Sequence, residues 1–228
     1  MKRARWFNAE WTASIRSLAN RIKAVPFTKD GFDGFVLDRV RDNAIEARYV
    51  EKLVFQEKIV DPFGNEESFE RVSYRQTAFS IFSSFPSLQL LDSPRNTEGF
   101  TSKLLELSKF DLAISPLSVD ALSWAICLEK KLNREVYIDS LRIAGLQLEN
   151  GVVAKVHVRG DRDVRDALKP IIKGRTYTLE NVQLRASLGG RKFAMVVTKG
   201  GGASFPEEFH TDLLPILRLT LNQIVGKK

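Results

Sequence analysis

Asn150-Gly151 stands between two apolar-rich runs, residues 141–148 and 152–159. A two-residue loop of this kind needs positive φ at both central positions, which Asn and Gly tolerate, so the stretch predicts a tight β-hairpin. The hairpin opens a module over 136–198: strand, turn, strand, helix, strand, Gly-Gly, strand. The helix is expected from Asp161 as N-cap to about Lys169, burying Val164, Ala167, Leu168, Ile171 and Ile172, with Pro170 kinking or ending it. Strands at 176–186 and 192–198 follow, around Leu188-Gly189-Gly190, and then a last helix at about 206–225. The order ββαββα, with strands 152–159 and 176–186 parallel across a helix, fits a ferredoxin-like lobe whose last strand is moved to the front. That order requires strand 191–198 to fill the gap between them.

At 228 residues and 43% hydrophobic content, the chain can bury a core in one or two lobes. Its net charge of +7 is unevenly spread. Residues 1–30 carry +5, 31–110 carry −3, 111–150 carry −2 and 151–228 carry +7. Two basic ends around an acidic middle point to a polyanionic partner, nucleic acid before membrane surface, or to a solvated basic surface. Cys127 is the single cysteine, so no intramolecular disulfide is available, and its apolar helical setting suggests a buried, inert thiol. The polar residues Asn8, Glu10, Thr12, Ser14 and Arg16 break any signal-peptide core, and no later run reaches membrane-span length. A cytoplasmic, reduced setting is expected, with no membrane partner.

Trp11, Ile15, Leu18 and Ile22 recur at helical spacing, with Asn8 as a candidate N-cap and Pro26 as the stop. Behind that helix lie Lys2, Arg3 and Arg5. Strand patterns occupy 35–40, 44–60, 68–82 and 88–91. The two long runs predict an extended hairpin around Asp61-Pro62-Phe63-Gly64-Asn65. Glu57, Asp61, Glu66, Glu67 and Glu70 make its tip acidic, suited to docking on a basic partner or to guarding a sheet edge. A short helix at 99–108, a strand at 111–115 and an apolar helix at 119–132 capped by Ser118 complete this half. Asn133-Arg134 marks the expected boundary between an α+β lobe, 1–133, and the basic lobe, 134–228.

Catalytic patterns are weak. His157 and His210 have no partner spacing, and zinc would need more N or S ligands than the chain offers. Asp161, Asp163 and Asp166, beside Arg162 and Arg165, fit capping and surface pairing better than magnesium binding. The run 199–204, Lys-Gly-Gly-Gly-Ala-Ser, lacks P-loop spacing and reads as a flexible connection. No enzyme, metal or cofactor is expected.

Residues 191–197, Arg-Lys-Phe-Ala-Met-Val-Val, together with the topology, resemble an RNA-recognition motif in outline. Lys192 stands where that motif has glycine, and Met195 and Val197 where it has aromatics, so base stacking is not expected. A second resemblance covers residues 88–149. Leu88-Gln89-Leu90-Leu91-Asp92, Pro116-Leu117-Ser118, Ala121-Leu122-Ser123-Trp124 with Leu128, and Leu141-Arg142-Ile143 resemble the RdgC recombination-associated DNA-binding family. The resemblance implies non-specific duplex DNA binding by a symmetric assembly.

Charge and resemblance together predict a non-enzymatic nucleic-acid-binding protein, DNA before RNA, that grips the phosphate backbone. The expected contacts are Lys155, Arg159, Arg162, Arg165, Lys173, Arg175, Arg185, Arg191, Lys192 and Lys199. The alternative is an assembly or adaptor subunit that uses the acidic hairpin and apolar helices, and a nucleotide-binding or nuclease subunit is the third option.

Overall fold

The computed structural model describes residues 1–132, 136–149 and 151–225. Asn133-Arg134, the expected boundary, and Asn150 of the hairpin turn lie outside the described residues. The fold is mixed α and β. In chain order the elements are β1 (Lys2–Trp11), α1 (Ile15–Lys23), β2 (Asp33–Arg41), β3 (Ala44–Val60), β4 (Glu66–Phe82), β5 (Leu88–Leu91), α2 (Glu98–Leu107) and β6 (Leu112–Pro116). They continue with α3 (Ala121–Leu132), β7 (Tyr137–Glu149), β8 (Val152–Arg159), α4 (Arg165–Ile172), β9 (Thr178–Leu188), β10 (Arg191–Thr198), β11 (Gly202–Phe205) and α5 (His210–Val225). Among the described residues no helix is long and apolar enough to cross a membrane. The chain forms two compact units, residues 9–113 and residues 1–8 with 114–228.

In the unit 9–113 the strand order is β2-β3-β4-β5, antiparallel throughout. The expected long hairpin forms, with β3 and β4 in unbroken register from Ala44 opposite Phe82 to Val60 opposite Glu66. Asp61 closes its turn: one carboxylate oxygen accepts from the Phe63 and Asn65 N–H groups at 2.8 Å, while Gly64 supplies a φ of +89°. Helix α1 starts later than expected. Ser14, not Asn8, caps it by accepting from Ser17 N–H, because residues 2–11 are drawn into a strand. Phe35, Tyr49, Phe79 and Phe100 form the aromatic core, with Phe79 and Phe100 centroids 5.0 Å apart, which seats α2 on the sheet. Gly34 is required by packing, since a Cβ there would meet Phe27 and Pro26 backbone atoms at 2.6–2.7 Å.

In the other unit the order is β1-β11-β10-β9-β7-β8. Strand β7 is antiparallel to both β8 and β9, so β8 and β9 run parallel across α4, as expected. The strand between them, however, is β7 and not β10, so the expected ferredoxin-like order does not form. Two tight turns decide this. Gly189 and Gly190, at φ +58° and +78°, keep β10 against β9, and the turn at Gly201 brings β11 onto its other edge. With both edges taken, β10 has no edge left for β8. The run 199–204 is therefore a turn and a strand, not a flexible connection.

Helix starts shift as well. Asp120 caps α3, accepting from the Leu122 and Ser123 N–H groups, in place of Ser118. Helix α4 begins at Arg165, after Asp161, with buried Val164 as its N-cap; it buries Leu168, while Ala167 is exposed and Ile171 and Ile172 are half-buried. Pro170 lies inside it, and the helix runs on to Ile172. Trp6 and Trp124 meet edge to face at 6.0 Å in the core, and Trp124 Nε1 donates to Thr220 Oγ1 at 3.0 Å. Cys127 is half-buried on α3 with its Sγ 3.1 Å from Gln223 Oε1.

Candidate functional site

Strands β9 and β10 bury one face and expose the other. Val182, Leu184 and Ala186 pack with Phe193, Met195 and Val197 against α3. Opposite residues in an antiparallel register share a face, so the pairings identify what lies on the other side. Ser140 stands opposite Arg159 and Gln183, and Arg142 opposite His157 and Asn181. Gln183 stands opposite Val196, Arg185 opposite Ala194, and Ser187 opposite Lys192. Val196 pairs with Ser204, and Ser204 with Arg3. Arg3 and Arg5 of β1 therefore share the face that carries Arg142, Lys155, Arg159, Arg185 and Lys192. Lys2, Arg3 and Arg5 near the start of the chain thus join one sheet with basic residues of the segment 151–198.

The structure divides the ten expected contact residues. Lys155, Arg159, Arg185 and Lys192 lie on this open face, all exposed. Arg185 is held by Asp139, whose Oδ2 accepts from its Nε at 2.6 Å, and that bond raises the Arg185 pKa. Arg191 points to the opposite side, with its guanidinium 4.8 Å from the Phe209 ring centroid. Arg162, Arg165, Lys173 and Arg175 flank or begin α4. Arg165 is engaged twice, with Asp163 at 2.8 Å and Glu129 of α3 at 2.9 Å, so it braces α4 against α3. Arg175 donates to the Ile171 carbonyl. Lys199 lies by the start of α3, where its carbonyl accepts from Val119 N–H. Among the described residues, Lys155, Arg159, Arg162, Lys173, Lys192 and Lys199 have no carboxylate partner.

A cleft of about 310 Å³ lies on the open face toward its β8 edge, lined by Ser140, Arg142, His157, Arg159, Asn181, Gln183 and Val196. Ser140 Oγ and His157 Nε2 are 2.7 Å apart, with the donor set by the imidazole tautomer. Asp139, 1% exposed in the β7 bulge, accepts from Gln183 Nε2 at 3.2 Å as well as from Arg185. Tyr137, opposite Arg185, adds an aromatic ring near Lys192.

Ser140, Arg142, Asn181, Gln183 and Tyr137 were not legible as site residues. Single polar residues on alternating strands carry no signal until the register is known. Arg142 could have been found from its alternation with Ser140, but only once the neighbouring strand was assigned. Arg3 and Arg5 stand on a strand, not behind a helix, and residues 2–11 contain no β-branched residue to signal it.

The acidic hairpin belongs to the unit 9–113. Glu57 pairs with Arg71 at 2.9 Å and Glu66 with Lys58 at 3.3 Å, which leaves Glu67 and Glu70 exposed beyond them. Hydrogen bonds from Asn65, side chain and backbone, hold the Asp61 carboxyl below the usual range. The ribbon also exposes Phe55, Ile59 and Phe69, with Phe63 89% exposed at its tip. Compared with known proteins, the chain matches no family model and no curated protein.

Proposed function

We propose that the chain binds nucleic acid through the phosphate backbone, duplex DNA first, using the open face of β1, β11, β10, β9, β7 and β8. The observation that carries this reading is charge without compensation. Arg142, Lys155, Arg159 and Lys192 are exposed on one face with no carboxylate partner among the described residues, and buried Asp139 is already engaged by Arg185. Unpaired guanidinium and ammonium groups release counterions when they meet phosphates, the main source of sequence-independent affinity. The resemblance of residues 88–149 to the RdgC family supports duplex DNA as the ligand. Tyr137 adds one stacking platform at the margin of the face. A labelled duplex titrated with the protein over a range of salt concentrations tests the reading. Steep loss of affinity with salt and little sequence preference are expected, and no binding at low salt would sink it.

A second reading rests on the hairpin. Apolar side chains on both faces of a ribbon edged with Glu67 and Glu70 fit a contact with another protein that has a basic, partly apolar surface. Under this reading the chain is an assembly subunit.

A further inference from the structure

We infer that the cleft between β7, β8 and β9 is a phosphate-monoester site, formed by Ser140, Arg142, His157, Arg159, Asn181 and Gln183. The register makes it a block. Ser140 faces Arg159 across one rung of the β7–β8 ladder and Arg142 faces His157 across the next on the same side, so the two arginines are diagonal neighbours and both line the cleft. Asn181 and Gln183 close the third side from β9. Among the described residues neither arginine has a carboxylate partner, and Val196 is the single apolar residue in the lining.

The donors match a dianion. Each guanidinium presents a planar fork of N–H groups, the serine hydroxyl can rotate to donate, and the amides add N–H groups. Asp139 acts behind this layer as a positioning residue. It holds the Gln183 amide and takes up the charge of Arg185, while Arg185 offsets its own negative charge next to the cleft.

Shape separates this cleft from the rest of the basic face. A backbone phosphodiester carries one charge and passes along a surface, whereas a terminal phosphate carries nearly two charges and three strong acceptor oxygens. A recess of about 310 Å³, at the small end of ligand sites, suits the terminal group and what is attached to it. As an end-binding site on nucleic acid, the inference rests on the function proposed above. As a site for a phosphate monoester it stands without it, and the monoester can be a 5′ end or a small phosphorylated molecule.

The test compares short duplexes that carry 5′-phosphate or 5′-hydroxyl ends, with adenosine 5′-monophosphate, adenosine and inorganic phosphate as competitors. The 5′-phosphate duplex should bind about tenfold tighter or more, in line with one or two charge-assisted hydrogen bonds. Adenosine 5′-monophosphate and inorganic phosphate should remove that advantage, and adenosine should not. Arg142→Gln, at an exposed position, should make the two duplexes equal, and His157→Asn reads the same point should the first variant fail to fold. Equal binding of both duplexes by the wild type, with no competition by the phosphates, would overturn the site and leave backbone binding standing. Binding of adenosine 5′-monophosphate that Arg142→Gln leaves unchanged would also overturn it. If no duplex binds at low salt, yet the monophosphate binds and Arg142→Gln abolishes it, the site stands as one for a small phosphorylated molecule and the nucleic-acid reading falls.

Discussion

Two residues show how this molecule handles buried polarity. Trp124 is fully buried, and its indole N–H is satisfied by Thr220, whose hydroxyl in turn donates back to the carbonyls of its own helix. Thr220→Val keeps the shape and removes the acceptor, so it should cost about 1–3 kcal/mol, measured by denaturant unfolding. Asp163 poses the opposite case. Burial alone would raise its carboxyl, but hydrogen bonds from the Arg165 side chain and backbone and from Ile138 N–H outweigh burial and hold it below the usual range. A carboxyl whose folded pKa is depressed stabilises the fold above its unfolded value, about 3.9, and loses that contribution as pH falls through the folded value. Melting temperature followed from about pH 6 down to about pH 2 should therefore fall more steeply for the wild type than for Asp163→Asn. At neutral pH the variant should be the less stable of the two by about 1 kcal/mol, the discount reflecting partial exposure of the pair.

Among the elements, the β3–β4 hairpin divides into a packed base and a free ribbon. Its inner half buries Ile45, Ala47, Tyr49, Phe79 and Ile81, whereas Val54, Phe55, Ile59 and Val60 are 42–60% exposed. Since opposed residues at Gln56 and Glu70 remain in register, replacing 57–69 with Asn-Gly should close a shorter hairpin. The shortened protein should melt within a few degrees of the wild type, because the removed side chains contribute little burial. A large drop would show that the ribbon is packed in solution. Reversing Glu67 and Glu70 to Lys leaves stability within about 0.5 kcal/mol per site and should weaken any protein contact the ribbon makes, read by native mass measurement. If every complex survives that reversal, the assembly reading fails.

For the whole molecule the proposed duplex binding is read out by the number of phosphates neutralised. The slope of log affinity against log salt is about −0.9 per phosphate contact on duplex DNA. Arg159→Ala with Lys192→Ala should therefore flatten it by about one to two units and weaken all sequences alike. Arg191→Ala, on the opposite side of the sheet, should leave the slope unchanged, although both residues were equal candidates in sequence. The difference between Arg191 and Lys192 is one step of a strand, which sends neighbouring side chains to opposite faces.

Local chemistry made much of the architecture legible. The long hairpin and its Asp61 turn, the Gly189-Gly190 turn and the mixed α and β composition all follow from periodicity and backbone preference within a few residues. Three things lay beyond that range. The strand nature of residues 2–11, the place of β7 between β8 and β9, and the membership of α3 in the unit with β7–β11 depend on partners far along the chain. The candidate site depends on all three, because Arg3, Ser140, Arg142, His157, Asn181 and Lys192 converge through register alone. A single sequence encodes which residues are basic and which strands are apolar, but strand pairing is a competition among distant edges, and its outcome decides which charges share a surface.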